Sequence, residues 1–247
     1  IDEDQIEANI LNPDFDLPNS FDRDVRGFYT VEYLIYGQGE TDAEIVANFD
    51  QNRLDYLQLI VAELKSSFDQ IVAEWNGSYF EEFVNSDGTS AGSSVSQLYN
   101  SFVRDYENLK NFKVELPAGL TAGQPNPDGT LVAGYYSGIS VELIEEHWES
   151  SKNIWYGRSR SGEDLTGFEE YLASVTGGPA LIETTKEAIA DIDLEVMELP
   201  EGPLSENVDS PELETLRDEL QANTANFKSS MSSLLGISIT FNSGDGD

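Results

Sequence analysis

The chain has 247 residues, of which 47 are acidic and 13 are basic, giving a formal net charge of −34. A surface of this sign repels phosphate backbones and anionic lipid headgroups, which argues against nucleic acid as a partner. The absence of cysteine excludes disulfides, thiolate metal sites and cysteine nucleophiles.

The acidic excess has two explanations, and the charge alone does not separate them. An acidic surface keeps a protein soluble in concentrated salt at the cost of self-repulsion in dilute buffer, which indicates adaptation to a saline habitat. The same surface also attracts cations.

Apolar residues recur at three- and four-residue steps from Asp42 to Asn76, which predicts either one long helix or two shorter ones. Thr41 is positioned to cap the start, and Glu44 in the first turn favours the helix dipole. Asn76 and Gly77 predict a left-handed cap at the end.

A second helix is predicted from about Ser94 to Phe112, with an apolar face made of Leu98, Phe102, Val103, Tyr106 and Leu109. The proline- and glycine-rich stretch that follows is longer than an ordinary connection, so we interpret it as a functional loop or a crossover. It divides the chain into residues 1–116, an irregular loop at 117–134 and residues 135–247.

The second half has the same helical periodicity as the first, and it contains no strong series of hairpin signals. Proline at position 211 suits the first turn of a helix. The predicted helices are Ser140–Tyr156, Gly167–Val175, Pro179–Met197 and a last one from Ser210 that ends at Gly236. The fold class is therefore all-α, with antiparallel helical bundles in two halves.

A similar short sequence pattern occurs once in each half of the chain. Gly27-Phe28 precedes Glu32-Tyr33-Leu34, and Gly167-Phe168 precedes Glu170-Tyr171-Leu172. The gaps differ by two residues, so both a duplicated bundle unit and a chance repetition remain open.

Three segments carry a family resemblance, and they occur in that family's order: Arg26–Gly37, Gly134–Leu143 and Leu235–Asp247. The first is similar to a signature in which Gly, any residue, His, two residues and Glu precede a turn rich in aromatic residues and leucine. The second is similar to the Bacteroidetes-type branch of the same family. Together they resemble the imelysin family.

The resemblance implies an extracytoplasmic helical protein linked to iron acquisition, beside an outer-membrane receptor. Many relatives are lipoproteins, which implies a lipid anchor through a segment upstream of Ile1. Relatives also carry a helical segment before the signature, whereas 26 residues precede Gly27 here. An N-terminal fragment or a partner subunit is expected to complete the bundle.

The resemblance also points to a metal site, since the family's His and Glu positions fall on Tyr29 and Glu32. Three residues apart, they share one helical face. Histidine and glutamate would suit iron or zinc, whereas a phenol is a poor ligand unless ferric iron ionises it. The alternative is that Tyr29 and Glu32 hydrogen-bond each other in a bundle core.

Peptidase chemistry has little support in these residues. His147 is the single histidine, which excludes a His-Glu-x-x-His zinc site, and no Gly-x-Ser-x-Gly motif accompanies it. The tail Gly244–Asp247 lacks the rest of an EF-hand loop, leaving only a partial calcium site as an option.

Three functional hypotheses follow. The first is a non-enzymatic binding protein for iron or another small ligand, with no catalytic residues. The alternative is a structural or assembly subunit that has kept the fold and lost the site. A metallopeptidase is the third.

Overall fold

The computed structural model describes residues 1–12, 15, 17, 22–39, 41–124 and 126–241. Within these residues the chain is helical, and an isolated antiparallel bridge between Arg158 and Asp164 is the only β-type pairing. None of the helices formed by these residues is long and apolar enough to cross a membrane. The all-α prediction is confirmed.

The chain forms two compact units, Ile1–Glu82 and Phe83–Asp247. The predicted loop at 117–134 falls inside the second unit, where Ala118 and Val132 join the apolar core. The sequence-based division into residues 1–116 and 135–247 therefore differs from these units. The reason is that Ala118 and Val132 anchor the proline-rich stretch in the core of the second unit, so the chain does not divide there.

Short helices and one long helix build the first unit, and a further helix, α5 (Ser78–Val84), contains the division between the units. The others are α1 (Glu3–Ile10), α2 (Phe28–Tyr36), α3 (Asp42–Asn48) and α4 (Gln51–Trp75). The core between α1, α2 and α4 contains Ile6, Ile10, Leu34, Tyr56 and Ile60.

The periodic segment from Asp42 to Asn76 forms two helices, the second of the two predicted options. The break lies at Phe49, because the side chain of Asp50 accepts a hydrogen bond from the Arg53 amide and begins α4 anew. The predicted capping by Thr41 is confirmed, with a reciprocal bond from Glu44.

The predicted left-handed cap at the end of α4 is wrong. Asn76 has right-handed dihedral angles of −85° and −5°, and Gly77 is not among the glycines with positive φ. The chain can turn there without leaving the right-handed region because α5 begins at Ser78, directly after Gly77.

The second unit contains both long and short helices: α6 (Ser94–Asn108), α7 (Ser140–Tyr156), α8 (Phe168–Ala173), α9 (Gly178–Met197), α10 (Pro211–Thr224) and α11 (Met231–Leu235). Two π-helical segments, Leu109–Glu115 and Ala225–Ser230, extend α6 and join α10 to α11. The core is rich in aromatic rings, with Phe227 packed against Phe102, Tyr106 and Trp155.

Most predicted boundaries in this unit are confirmed. Helix α7 has the expected bounds, Ser210 caps α10 ahead of Pro211, and Gly236 ends α11 with a φ of 65°. One residue of the predicted apolar face of α6 is not buried, since Leu98 is 45% exposed. The tail Gly244–Asp247 and its partial calcium site lie outside the described residues.

Candidate functional site

The signature segment forms α2, and Gly27 precedes it with a φ of 91°. The space around this glycine is open, so strain at positive φ rather than crowding disfavours other residues there. Tyr33 and Leu34 are buried, whereas Phe28 and Tyr29 are 65% and 51% exposed. The first turn of α2 therefore presents aromatic side chains to solvent.

Tyr29 and Glu32, the predicted ligand pair, lie one turn apart at this exposed end. Burial, and secondly the negative charge of Glu32, raise the pKa of the Tyr29 phenol above its ordinary value of 10.0. The carboxylate is therefore close enough to act on the phenol electrostatically. Because half of Tyr29 is exposed, the pair lies at the surface and not in a bundle core.

A divalent metal does not fit these two side chains. A pair of oxygen donors leaves most of a coordination sphere unfilled, and a phenol with a raised pKa ionises reluctantly. Among the residues that the structure describes, no group of three or more His, Cys, Asp or Glu side chains could hold a metal ion.

A charged network that the sequence analysis missed lies behind α2. Arg53 of α4 is 4% exposed, and its Nη2 donates to both carboxylate oxygens of Glu7, at 2.6 and 2.7 Å. The Tyr33 hydroxyl donates to the same carboxylate at 2.7 Å, and Gln38 donates to it at 3.3 Å. Burial and this bond raise the pKa of Tyr33 to about 12. The network ties α1, α2 and α4 together and thereby fixes the orientation of the signature helix.

The sequence does contain a signal for this network. Arg53, Tyr56 and Ile60 follow one another at three- and four-residue steps and are all buried, so an arginine occupies a position of the apolar stripe. Buried arginines are almost always paired, which predicts a carboxylate partner. The spacing along the chain does not identify that partner as Glu7.

The single histidine also has a partner that its sequence neighbours did not suggest. The Nε2 atom of His147 on α7 lies 3.0 Å from a carboxylate oxygen of Asp105 on α6. This contact is the main reason why the pKa of Asp105 is lowered, with smaller contributions from Lys113 and Arg104. The acidic residues near His147 in sequence, Glu142, Glu145 and Glu149, are exposed.

Comparison with known proteins agrees with the signature. Residues 1–231 match the family model named imelysin. The chain belongs to the imelysin family. The resemblance to this family is thereby confirmed, and two of the three segments that carry it, Arg26–Gly37 and Gly134–Leu143, lie within the matched residues.

A solved structure shares this imelysin fold. It is a protein from Parabacteroides distasonis ATCC 8503 described as an iron-regulated protein A precursor, with a TM-score of 0.75 and 19% sequence identity. The match covers 95% of this chain and 73% of that one. At this identity the likeness establishes the fold alone. Comparison with curated proteins found no match.

Proposed function

We propose that this imelysin-family chain is an extracytoplasmic protein of iron acquisition that binds ferric iron, presented as a chelate, and cleaves no peptides. Family membership and the shared fold with an iron-regulated protein A precursor support the iron link. That neighbour is described as a precursor, which means a protein that is later processed, and this supports the export of the present chain. A lipid anchor upstream of Ile1 and a neighbouring outer-membrane receptor complete the proposal.

The observation that carries it is the pairing of Tyr29 and Glu32 at the exposed end of α2. Both offer hard oxygen donors, which ferric iron prefers over the softer ligands that zinc accepts. A bound cation reverses the electrostatics of the site, since it stabilises the phenolate that burial and, secondly, Glu32 disfavour. Two protein donors suffice to bind iron that keeps most of its ligands from a chelator. The exposed surface around the pair leaves room for the chelator.

The network behind the helix supports this role. Glu7, Tyr33 and Arg53 hold α2 from its buried side, so its exposed turn is presented on a fixed support. A positioned pair of donors loses less conformational freedom on binding than two mobile side chains do.

Titration with ferric citrate, followed by visible absorption, tests the proposal. A phenolate–iron charge-transfer band should grow to a plateau, and both Tyr29→Phe and Glu32→Gln should remove it. Tyr36→Phe is the matched control, because Tyr36 is 47% exposed on the same helix but about 10 Å further along it. A band that survives in Tyr29→Phe, or no band at all, would contradict ferric binding at this pair.

A further variant, Tyr29→His, tests the binding of divalent metals. We expect zinc to bind weakly to the unmodified protein, and Tyr29→His to strengthen zinc binding by about tenfold because it restores the imidazole–carboxylate pair. Calorimetry measures both. Peptide substrates incubated with either metal should stay intact, whereas cleavage would favour the metallopeptidase.

A second candidate function, an assembly subunit, is favoured by the surface of α4. Four large apolar side chains on one face of its second half are 42–57% exposed: Phe68, Ile71, Val72 and Trp75. Large exposed apolar surfaces usually mark interaction sites. The expected partner is an apolar helical segment, either an N-terminal fragment or another subunit.

Native mass spectrometry of the purified protein tests the assembly role. A bound partner that dissociates on Ile71→Lys, but not on Val46→Lys, would support it. Val46 of α3 is the control because it is 74% exposed and lies outside the α4 face. A lone species of 27.3 kDa that stays folded would contradict it.

A further inference from the structure

A groove on the second unit, unconnected with the signature helix, has the features of a small-molecule site. It lies between α6, α7 and α8, and its cavity measures about 470 Å³. Its walls are mostly apolar, with Val95 and Leu98 from α6, Ile154 from α7 and Phe168 and Tyr171 from α8. This volume suits one small ligand with an apolar body.

A second cavity of about 290 Å³, with Phe102 in its wall, shares two residues with the groove, Leu98 and Ile154. The polar part is lined by Ser101, Arg104, Asp105 and Asn108 of α6. Leu98 and Ile154 therefore border both cavities, and we call the groove the apolar end and the second cavity the polar end.

The charges at the two ends differ. At the polar end Asp105 is engaged by His147 at 3.0 Å, and Arg104 supplies a cation. At the apolar end the carboxylate of Glu170 accepts a hydrogen bond from the Gly167 amide at 2.8 Å, which fixes a negative charge there. Arg104 and Lys113 both act on the Asp105 carboxylate, so two cations oppose one anion at this end, and an anionic group is favoured there over the Glu170 end.

The wall formed by α8 is held rigidly in place. A Cβ atom on Gly167 would meet the Gly157 nitrogen at 2.2 Å and the Trp155 carbonyl oxygen at 2.4 Å, so only glycine permits this backbone contact. The segment Gly167–Leu172, whose sequence is similar to that of the signature, therefore forms a fixed part of the groove wall.

From this arrangement we propose that the groove binds a free long-chain carboxylate, with its head at Arg104 and its tail along Leu98, Ile154 and Phe168. Each methylene buried there strengthens binding by about fourfold. The carboxylate and guanidinium form a charge-assisted hydrogen bond, which a neutral head cannot provide. The site is independent of iron binding at α2.

Calorimetric titration with dodecanoate at neutral pH, below its micelle concentration, tests the proposal. One equivalent should bind, and Arg104→Gln should weaken it by about tenfold. Methyl dodecanoate, which lacks the charge, should bind about tenfold more weakly than dodecanoate and be unaffected by Arg104→Gln. Arg160→Gln, an exposed arginine outside the groove, is the control for the change in net charge.

A matched pair of variants tests the proposed position of the ligand's tail. Leu98→Gln should weaken binding by about tenfold, whereas Leu194→Gln should not, since Leu194 is 55% exposed on α9 and lies outside the groove. Equal losses in the two variants, no saturable binding, or an unchanged affinity in Arg104→Gln would overturn the proposal. A dimer in sedimentation that Leu98→Gln disrupts, with no dodecanoate bound, would assign the groove to a second copy instead.

Discussion

The side chain of Asp105 on α6 contacts His147 on α7. This contact lowers the pKa of the Asp105 carboxyl below the ordinary 3.8. A carboxyl with a lowered folded-state pKa stabilises the protein above its unfolded-state value. That contribution is lost as the pH falls from about 4 through the folded pKa. Asp105→Asn should therefore cost about 0.5–1 kcal/mol at pH 7, because the side chain is 49% exposed.

Urea unfolding at neutral pH and at about pH 3 measures this difference. The gap between the unmodified protein and Asp105→Asn should narrow at the acidic pH, because a growing share of the Asp105 carboxyl is protonated as the pH falls below 4. Asp191→Asn, an exposed carboxyl on α9, should show no gap at either pH. A gap that stays constant with pH would mean that the contact contributes by packing and not by charge.

At this scale the sequence predicted residue types better than residue partners. It identified Tyr29 and Glu32 as neighbours because helical spacing alone brings residues three apart together. It could not pair Arg53 with Glu7 or His147 with Asp105, since 46 and 42 residues separate them along the chain. Such pairs depend on how helices pack, which a local period does not encode.

The π-helical segments place charge inside the second unit. Glu107 stands just before the first segment and Lys228 lies within the other, and their side chains are 3% and 15% exposed and 2.9 Å apart. Nearby, the Lys110 ammonium donates to Gln221 at 2.5 Å. A buried pair is expensive to break, because the remaining charge loses its compensation.

Lys228→Met should therefore destabilise the protein by about 3–5 kcal/mol, and Glu107→Gln in the Lys228→Met background should recover part of that loss. Denaturant unfolding of the two single variants and the double variant forms a complete cycle. Additive losses would show that the two side chains contribute independently. Lys186→Met is the control, since its salt bridge with Glu169 lies at the surface.

Helix positions were predicted well and helix exposure less well. Periodicity and caps gave the bounds of α7 and the starts of α3 and α10, because these signals are local. The same periodicity placed Leu98 on the apolar face of α6, yet this side chain is 45% exposed. A period identifies the apolar face of a helix, but whether another element covers that face is a property of the tertiary structure.

Charge acts on the molecule as a whole. With 47 acidic and 13 basic residues, ion pairs can neutralise only a minority of the carboxylates, so like charges repel throughout the folded chain. The screening length shortens from about 10 Å at 0.1 M salt to about 3 Å at 1 M. Stability should therefore rise with salt, and most of the gain should come below about 1 M.

Calorimetric melting in increasing KCl measures the effect, and a gain of about 2 kcal/mol would raise the Tm by about 4–8 °C.

Tetramethylammonium chloride at equal ionic strength separates the two explanations of the acidic excess. An equal rise with either cation indicates general screening, as expected for a protein adapted to saline surroundings. A rise with millimolar calcium but not with tetramethylammonium would instead indicate specific cation binding, because dilute salt barely changes the screening length and only direct coordination acts at that concentration. A Tm that falls as KCl is added would contradict both.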